Sequence, residues 1–330
     1  MEINALNTND LAPKVYRYLA ESGISESSRN GPVLRAPEPV TVRLDHPWER
    51  MNLCPVRDAN PFFHVWEAVA MLAGHNSVDL MAAFAARMAT FSDDGERYNA
   101  FYGERARSTR GDQLMRVAKE LAIRPDSRQA VVSLWDAQSD NLERPTKDRA
   151  CNLSMLFFIR DGCLCMTTFN RSNDAIWGGV SGANIVHLSY FQEWVACYLQ
   201  IPMGRWWHIS NNLHVYLDNP KWEGLKTAPT VYTYPNRLRP LLFQGAAEAV
   251  QFDTQARQLC RAAERLLAGD RIEGYGPHNP WLRTVALPLL HSWIAHKQKQ
   301  PVLALRHADE CADIACSEAA VEWLLRRVKQ

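Results

Sequence analysis

The stretch ACNLSMLFFIRDGCLCMTTFNRSND, residues 150–174, organises the middle of the chain. Leu153–Ile159 and Cys163–Phe169 are apolar runs that flank Arg160-Asp161-Gly162. An Asp-Gly pair between two such runs is a strong hairpin signal. Cys151 stands just before the first expected strand, and Arg171-Ser172 stand at the end of the second, twenty residues beyond Cys151. A cysteine attacks as its thiolate, and a guanidinium nearby favours that form. Arg171-Ser172 also offers donors of the kind a phosphate takes. Taken singly, each has a plainer reading: a packed core cysteine and a solvated loop.

Outward from this hairpin, Gln129–Trp135 (QAVVSLW) reads as a strand upstream and Leu213–Leu217 (LHVYL) as one downstream, with Val40–Leu44 alternating in the same way. Pro61–Gly74 has helical spacing: Phe63, Trp66, Val69, Ala70 and Ala73 recur between an early proline and a closing glycine. Further helices are expected at Val15–Glu21, Val78–Met88, Gly111–Ile123 (with Asp112 near its N-cap) and Ile185–Leu199, and a Gly/Ser-rich turn ends the first thirty residues. From about Ala246 the pattern changes to three helical segments: Phe252–Ala268, Trp281–Lys297 with a bend at Pro288, and Ala308–Val328. Stripes such as Leu259, Leu266 and Leu267 must pack on something. The organisation expected is an α+β domain over residues 1–245 and a helical extension over 246–330.

The 330 residues hold 37 Lys and Arg against 36 Asp and Glu, a formal charge of +1, with 47% hydrophobic and 22% charged residues. That is the make-up of a globular chain. It offers no bulk attraction to nucleic acid or to an anionic membrane. No apolar run approaches the roughly 20 residues of a spanning helix. The polar start MEINALNTNDLAPK is not a signal peptide, so a cytoplasmic location is expected. Eight cysteines are scattered along the chain, which argues for free thiols. Neither Cys163 with Cys165 nor Cys311 with Cys316 has a His pair to complete a tetrahedral site, and no metal is expected.

Beyond the hairpin, Asn184 opens an expected helix in Gly182-Ala183-Asn184-Ile185, and His214-Val215-Tyr216 lies in the last strand. With Cys151-Asn152 and Asn170-Arg171-Ser172-Asn173-Asp174 ahead of them, these residues resemble thymidylate synthase and its pyrimidine hydroxymethyltransferase relatives. In that family a nucleophile strand, a phosphate strand, an Asn-Ile helix start and a His-x-Tyr strand follow in the same order. Upstream, Ser28-Arg29-Asn30-Gly31 resembles the family's phosphate loop, and Glu67, seven residues before Gly74, its catalytic glutamate. Tyr102-Gly103 resembles the Tyr-Gly ahead of the Asp-Gln-Leu helix, here Asp112-Gln113-Leu114. Asp126-Ser127-Arg128 resembles the strand whose arginines reach a partner subunit. The resemblance covers about residues 25–225.

It implies a three-layer α+β fold with a large mixed sheet, a homodimer, a pyrimidine nucleoside monophosphate as substrate and 5,10-methylenetetrahydrofolate as co-substrate. It also implies catalytic roles for Cys151, Glu67, Tyr102, Asn152 and Asp174. Substrate contacts are implied for Arg29, Arg128, Arg171, Ser172, Asn184, His214 and Tyr216.

The residue types suit that chemistry. A thiolate added to C6 turns pyrimidine C5 into an enolate-like carbon that attacks a one-carbon electrophile. Glu67 suits proton movement and the charge that builds on O4. Arg29, Arg128 and Arg171 suit a phosphate dianion. His214 and Tyr216 alternate onto one strand face, as two sugar-hydroxyl partners do. Asn184 can accept from N3–H and donate to O4, which favours uracil over cytosine; Ala183 leaves room for a ribose. Plainer readings exist for each: Glu67 a satisfied acid, Tyr102 a core ring, His214 a packing histidine, Asn184 an N-cap.

Four departures from the family pattern bear on the product. Asn152 replaces the family's histidine, and Gln129 its second arginine. Asp174 to Asn184 is two residues longer, and no tryptophan lies between Leu80 and Tyr102, where Phe91 is one aromatic available to replace it. The chain also ends in helices where methylating members have a short apolar tail. A site open to water turns the one-carbon unit into a hydroxymethyl group instead of reducing it. The expectation is therefore 5-hydroxymethylation of dUMP. Methylation to dTMP, or nucleotide binding without catalysis, are the alternatives; a Cys-His hydrolase explains neither Asn184 nor the arginines. The terminal helices are expected to border the folate side of the cleft.

Overall fold

In the computed structural model, which describes residues 1–328 apart from 110, 230–233 and 235–238, the chain begins with β1 (Glu2–Ala5), α1 (Thr8–Ser22), β2 (Ile24–Ser28), β3 (Gly31–Arg35) and β4 (Val40–Leu44). Four helices follow: α2 (Pro61–Ala73), α3 (Val78–Phe84), α4 (Tyr102–Arg107) and α5 (Gln113–Ile123). The middle holds β5 (Val131–Ser133), β6 (Asn152–Arg160), β7 (Cys163–Asn170), β8 (Asn173–Asp174), α6 (Ala183–Leu199), β9 (Met203–Ser210) and β10 (Leu213–Tyr216). The chain then forms α7 (Trp222–Leu225), α8 (Gly245–Leu267), α9 (Leu287–Lys297), α10 (Pro301–Asp309) and α11 (Ile314–Val328).

Two sheets carry the site. The larger is mixed and six-stranded, in the order β1-β4-β9-β7-β6-β5; the smaller has the order β2-β3-β10-β8. Asp161 and Gly162 take φ of 52° and 73°, the left-handed pair that a two-residue hairpin turn needs. The β6–β7 ladder then runs from Arg160 opposite Cys163 to Asn152 opposite Asn170. That register sets Arg171 beside Cys151, and the Arg171 N–H donates to the Cys151 carbonyl at 2.9 Å.

Helix α2 is buried along its whole length, which is why it is apolar on every side except at His64 and Glu67. Asn60 caps it by accepting from the Phe63 N–H at 3.1 Å, and Gly74 ends it at φ 64°. Gly103 on α4 lies so close to α2 that a Cβ there would meet the Met71 backbone at 2.5 Å. The glycine therefore lets α4 press against α2 and brings Tyr102 to the interior. The terminal helices share this core. Phe62 packs against Trp293 at 5.4 Å and Trp323 at 5.6 Å, and Asp58 pairs with Arg326 and Arg327.

Several elements differ from the sequence expectations. The first helix spans Thr8–Ser22, longer than Val15–Glu21, because Asn7 caps it by accepting from the N–H groups of Asn9 and Asp10. The presumed turn before residue 31 is the β2–β3 hairpin. Strand β9 was not anticipated, β5 is shorter than Gln129–Trp135, and the small second sheet adds to the single large one expected. Near Pro288, Leu282–Ala286 forms a π-turn. Pro288 has no N–H to return to Thr284, whose carbonyl accepts from Ala312 at 2.9 Å instead. Asp313 caps α11 by accepting from the Cys316 N–H at 3.1 Å, so the helix expected over Ala308–Val328 begins only at Ile314, after α10, which was not anticipated.

Candidate active site

Cys151 sits at the mouth of β6, held on both sides. Its N–H donates to the Tyr102 hydroxyl at 3.1 Å, as does the Asn152 N–H at 3.2 Å. Burial pushes the Cys151 thiol up; Arg171 and Arg29 oppose that, while Asp148 and Asp140 add to it. The Arg171 guanidinium clamps the chain just before the cysteine, donating to the carbonyls of Ala150 at 2.8 Å and Arg149 at 3.1 Å. Two of its five N–H groups are thus committed, and among the described residues no hydrogen bond takes the others, which can serve an anion.

A cleft of about 560 Å³ opens over Cys151. It collects Arg29 from the β2–β3 turn, Arg171 and Ser172 from the end of β7, and His214 and Tyr216 from β10. Six of the twelve residues singled out in the sequence therefore meet on one surface. His214 and Tyr216 share a strand face with ring centroids 5.2 Å apart. Asn212 orients His214 through a 3.0 Å contact to Nδ1, and Asn30 reaches the Tyr216 hydroxyl at 3.4 Å.

The cleft also holds residues that sequence reasoning missed. Lys147, Asp148 and Arg149 line it, together with Glu26 and Asn212. Its charged lining is four cations (Arg29, Lys147, Arg149, Arg171) against Glu26 and Asp148. Burial pushes the Asp148 carboxyl up, although the Ala100 N–H opposes this. The surplus of positive charge suits a phosphate dianion. The charged run Lys147-Asp148-Arg149, directly ahead of Ala150-Cys151, was the available signal.

The other six lie outside the cleft lining. Arg128 is exposed just ahead of the edge strand β5. Glu67 is buried on α2 with Oε2 3.0 Å from His187 Nδ1. Asn152 is buried and accepts from Asn170 Nδ2 at 2.9 Å. Tyr102 braces the Cys151 backbone through its hydroxyl. Asp174 pairs with His214 across β8 and β10. Its Oδ1 accepts from the N–H groups of Ile176 at 2.8 Å and Trp177 at 3.3 Å. Burial pushes its carboxyl up, and those N–H groups and His214 oppose this. Asn184 is the second residue of α6, and Gly182 holds the N-cap position, so capping does not account for Asn184.

The helices beyond residue 245 pack on α2, α3, α4 and α6. Trp293 Nε1 donates to the Ala83 carbonyl at 3.0 Å, and Arg107 on α4 pairs with Asp253 on α8. Among the described residues none of these helices lines the cleft. The expectation concerned the folate side, which this lining does not include; on α11, Arg326 and Arg327 pair with Asp58, next to Arg57.

A cysteine at the end of a mixed-sheet strand, faced by an arginine cluster and a His-x-Tyr strand, fits a transferase of the thymidylate synthase type. The chain matches the family model for thymidylate synthase over residues 15–262, and it belongs to that family. It is 36% identical to a deoxyuridylate hydroxymethyltransferase of Pseudomonas phage M6, over 98% of this chain and 94% of that protein. It is 38% identical to a deoxyuridylate hydroxymethyltransferase of Bacillus phage SP01, over 55% of this chain and 50% of that protein. A putative thymidylate synthase of Methanosarcina barkeri (strain Fusaro / DSM 804) is 34% identical over 35% of this chain and 52% of its own length.

Proposed function

We propose that the chain transfers a hydroxymethyl group to C5 of deoxyuridylate, with 5,10-methylenetetrahydrofolate as the one-carbon donor. The observation that carries this reading is Cys151 opening into a cationic cleft beside Arg171, Ser172 and His214. The naming of the phage relatives, one matched over 98% of this chain, supports it. The cleft volume falls in the range of small-molecule sites.

In this reading Arg29 and Arg171 take the phosphate, with Lys147 and Arg149 adding charge. His214 and Tyr216 take the sugar, and Asn184 reads the uracil edge. Cys151 adds to C6, and Glu67 moves the protons. For the donor, Trp177 is 44% exposed, stacks on Arg57 at 4.5 Å and stands beside Asp174. That aromatic face next to an acceptor suits a fused-ring donor. Phe91 lines the cleft but is 39% exposed, so it does not close the site to water, which favours hydroxymethyl over methyl.

Two ladder rows further support a homodimer built sheet to sheet. Val131, Leu156, Thr167 and Trp207 align across β5, β6, β7 and β9, and Ser133, Ser154, Phe169 and Ile209 do the same. None of these eight is buried, and no described element packs over the apolar ones among them.

The test uses dUMP tritiated at C5 with the folate donor. Tritium release, a product gaining hydroxymethyl by mass spectrometry and recovery of tetrahydrofolate are expected. Cys151→Ala should abolish release yet still bind dUMP. A methyl product with dihydrofolate assigns methylation instead, and binding without release assigns a non-catalytic binder.

A further inference from the structure

One helical turn beyond Asn184 on α6 stands His187, on the same side of the helix. It is 1% exposed, and Glu67, whose carboxylate it contacts at 3.0 Å, is 5% exposed. The His187 ring lies 5.7 Å from the Tyr102 ring, and the Tyr102 hydroxyl holds the N–H groups of Cys151 and Asn152. A single phenol ring therefore separates His187 from the backbone of the nucleophile. The other imidazole nitrogen, Nε2, is buried with no hydrogen-bond partner among the described residues. A purely structural pair between two buried helices gains nothing from an unmet polar atom.

We propose that His187 is a positioning residue that acts through Glu67, and that the pair commits the one-carbon unit to water. The proposal rests on the hydroxymethyl reading above. An ionised carboxylate only accepts, so the imidazole proton lies on Nδ1 and fixes the rotation of Glu67. Glu67 takes a proton from a water whose oxygen bonds to the exocyclic carbon at C5. The electron pair moves onto O4 and returns to re-form C5=C6 as the C6–S bond to Cys151 breaks. The proton on Glu67 passes to the released thiolate. Nothing is oxidised or reduced in this step.

The experiment measures two quantities on the full-length chain with 2-mercaptoethanol present: tritium released from C5, and hydroxymethyl product formed per tritium. In the wild type the two should match. In His187→Leu the ratio of product to tritium should fall at least about tenfold, with a thioether adduct taking the difference. His187→Asn places its amide nitrogen near Nδ1 and should restore the ratio; His187→Gln, which reaches toward Nε2, should not. A structural role would lower both quantities in parallel, and an unmoved ratio overturns the proposal. Should His187→Leu fail to fold, equal ratios in His187→Asn and His187→Gln overturn it equally. A wild type that makes methyl product or releases no tritium sinks the assigned reaction and this proposal together; an unmoved ratio in an active enzyme sinks this proposal alone.

Discussion

At Tyr102 one hydroxyl accepts two backbone N–H groups, those of Cys151 and Asn152. Phenylalanine would keep the ring against His187 and drop both bonds. A buried donor left without its acceptor costs about 1–3 kcal/mol, and a small displacement of a reacting group costs rate steeply. Tyr102→Phe is therefore expected to lower kcat for C5 tritium release about ten- to a hundredfold. The KM for dUMP should move less, because the residues proposed to take the phosphate and sugar lie on other elements. Steady-state kinetics would check this, and an unchanged kcat would leave Tyr102 a packing residue. The residues that meet in the cleft were legible because each sits at a strand end or turn with a recognisable neighbour, as Arg171 does after the hairpin. Lys147 and Arg149 were not. They lie in a loop without period, held over the cleft when Lys147 donates to the Ser92 carbonyl at 3.0 Å and Arg149 to the Asn141 carbonyl at 3.3 Å.

Strand β9 shows why an element can hide. Its inward residues include His208 and Ser210, both buried, while Trp207 and Ile209 point to the open face. The usual alternation of apolar-in and polar-out is reversed there, so the pattern gave no signal. The polar pair is tolerated because His208 Nδ1 meets Thr168 at 2.5 Å and Nε2 meets Asn173 at 3.0 Å. Asn173 in turn donates to Ser210 at 2.8 Å and accepts from the Gly179 N–H at 2.7 Å. This network ties the loop after β8 to the sheet. Burial pushes the His208 imidazole down to about 4, and burial does the same at His64, down to about 3. Well above pH 6.5 both are neutral folded or unfolded. Below it the unfolded chain takes protons that the folded chain refuses, so stability falls with pH. By pH 4 His208 alone should cost about 3 kcal/mol. Thermal unfolding between pH 7 and pH 4 would show a falling Tm, with a shallower slope in His208→Gln.

For the whole molecule, the face of the six-stranded sheet that no described element covers is the feature with consequences. Rows of apolar residues on β5, β6, β7 and β9 should be covered by a second copy. Sedimentation of the wild type is expected to give a dimer, and Trp207→Glu with Phe158→Glu a monomer of much lower activity. Arg128, exposed beside this face, would then serve the neighbouring site. Arg128→Ala should keep the dimer and weaken dUMP binding about tenfold, the loss of one charge-assisted contact. A monomer with full activity at dilution would overturn both.

The order of motifs along the chain determined the family and singled out the candidates for nucleophile and for phosphate and sugar contact. These are local features: a hairpin turn, a strand's alternation and a helix start each impose their own spacing on neighbouring residues. What only the tertiary structure decided are the meetings between distant elements. Glu67 and His187 are 120 residues apart and come together because α2 and α6 are packed in one core. Tyr102 reaches Cys151 because Gly103 admits α4 against α2. The terminal helices cover α2 rather than the cleft, since Phe62 with Trp293 and Trp323 offers them an apolar seat. Burial acts at long range in sequence and short range in space, and no period or spacing in the chain encodes which buried faces meet.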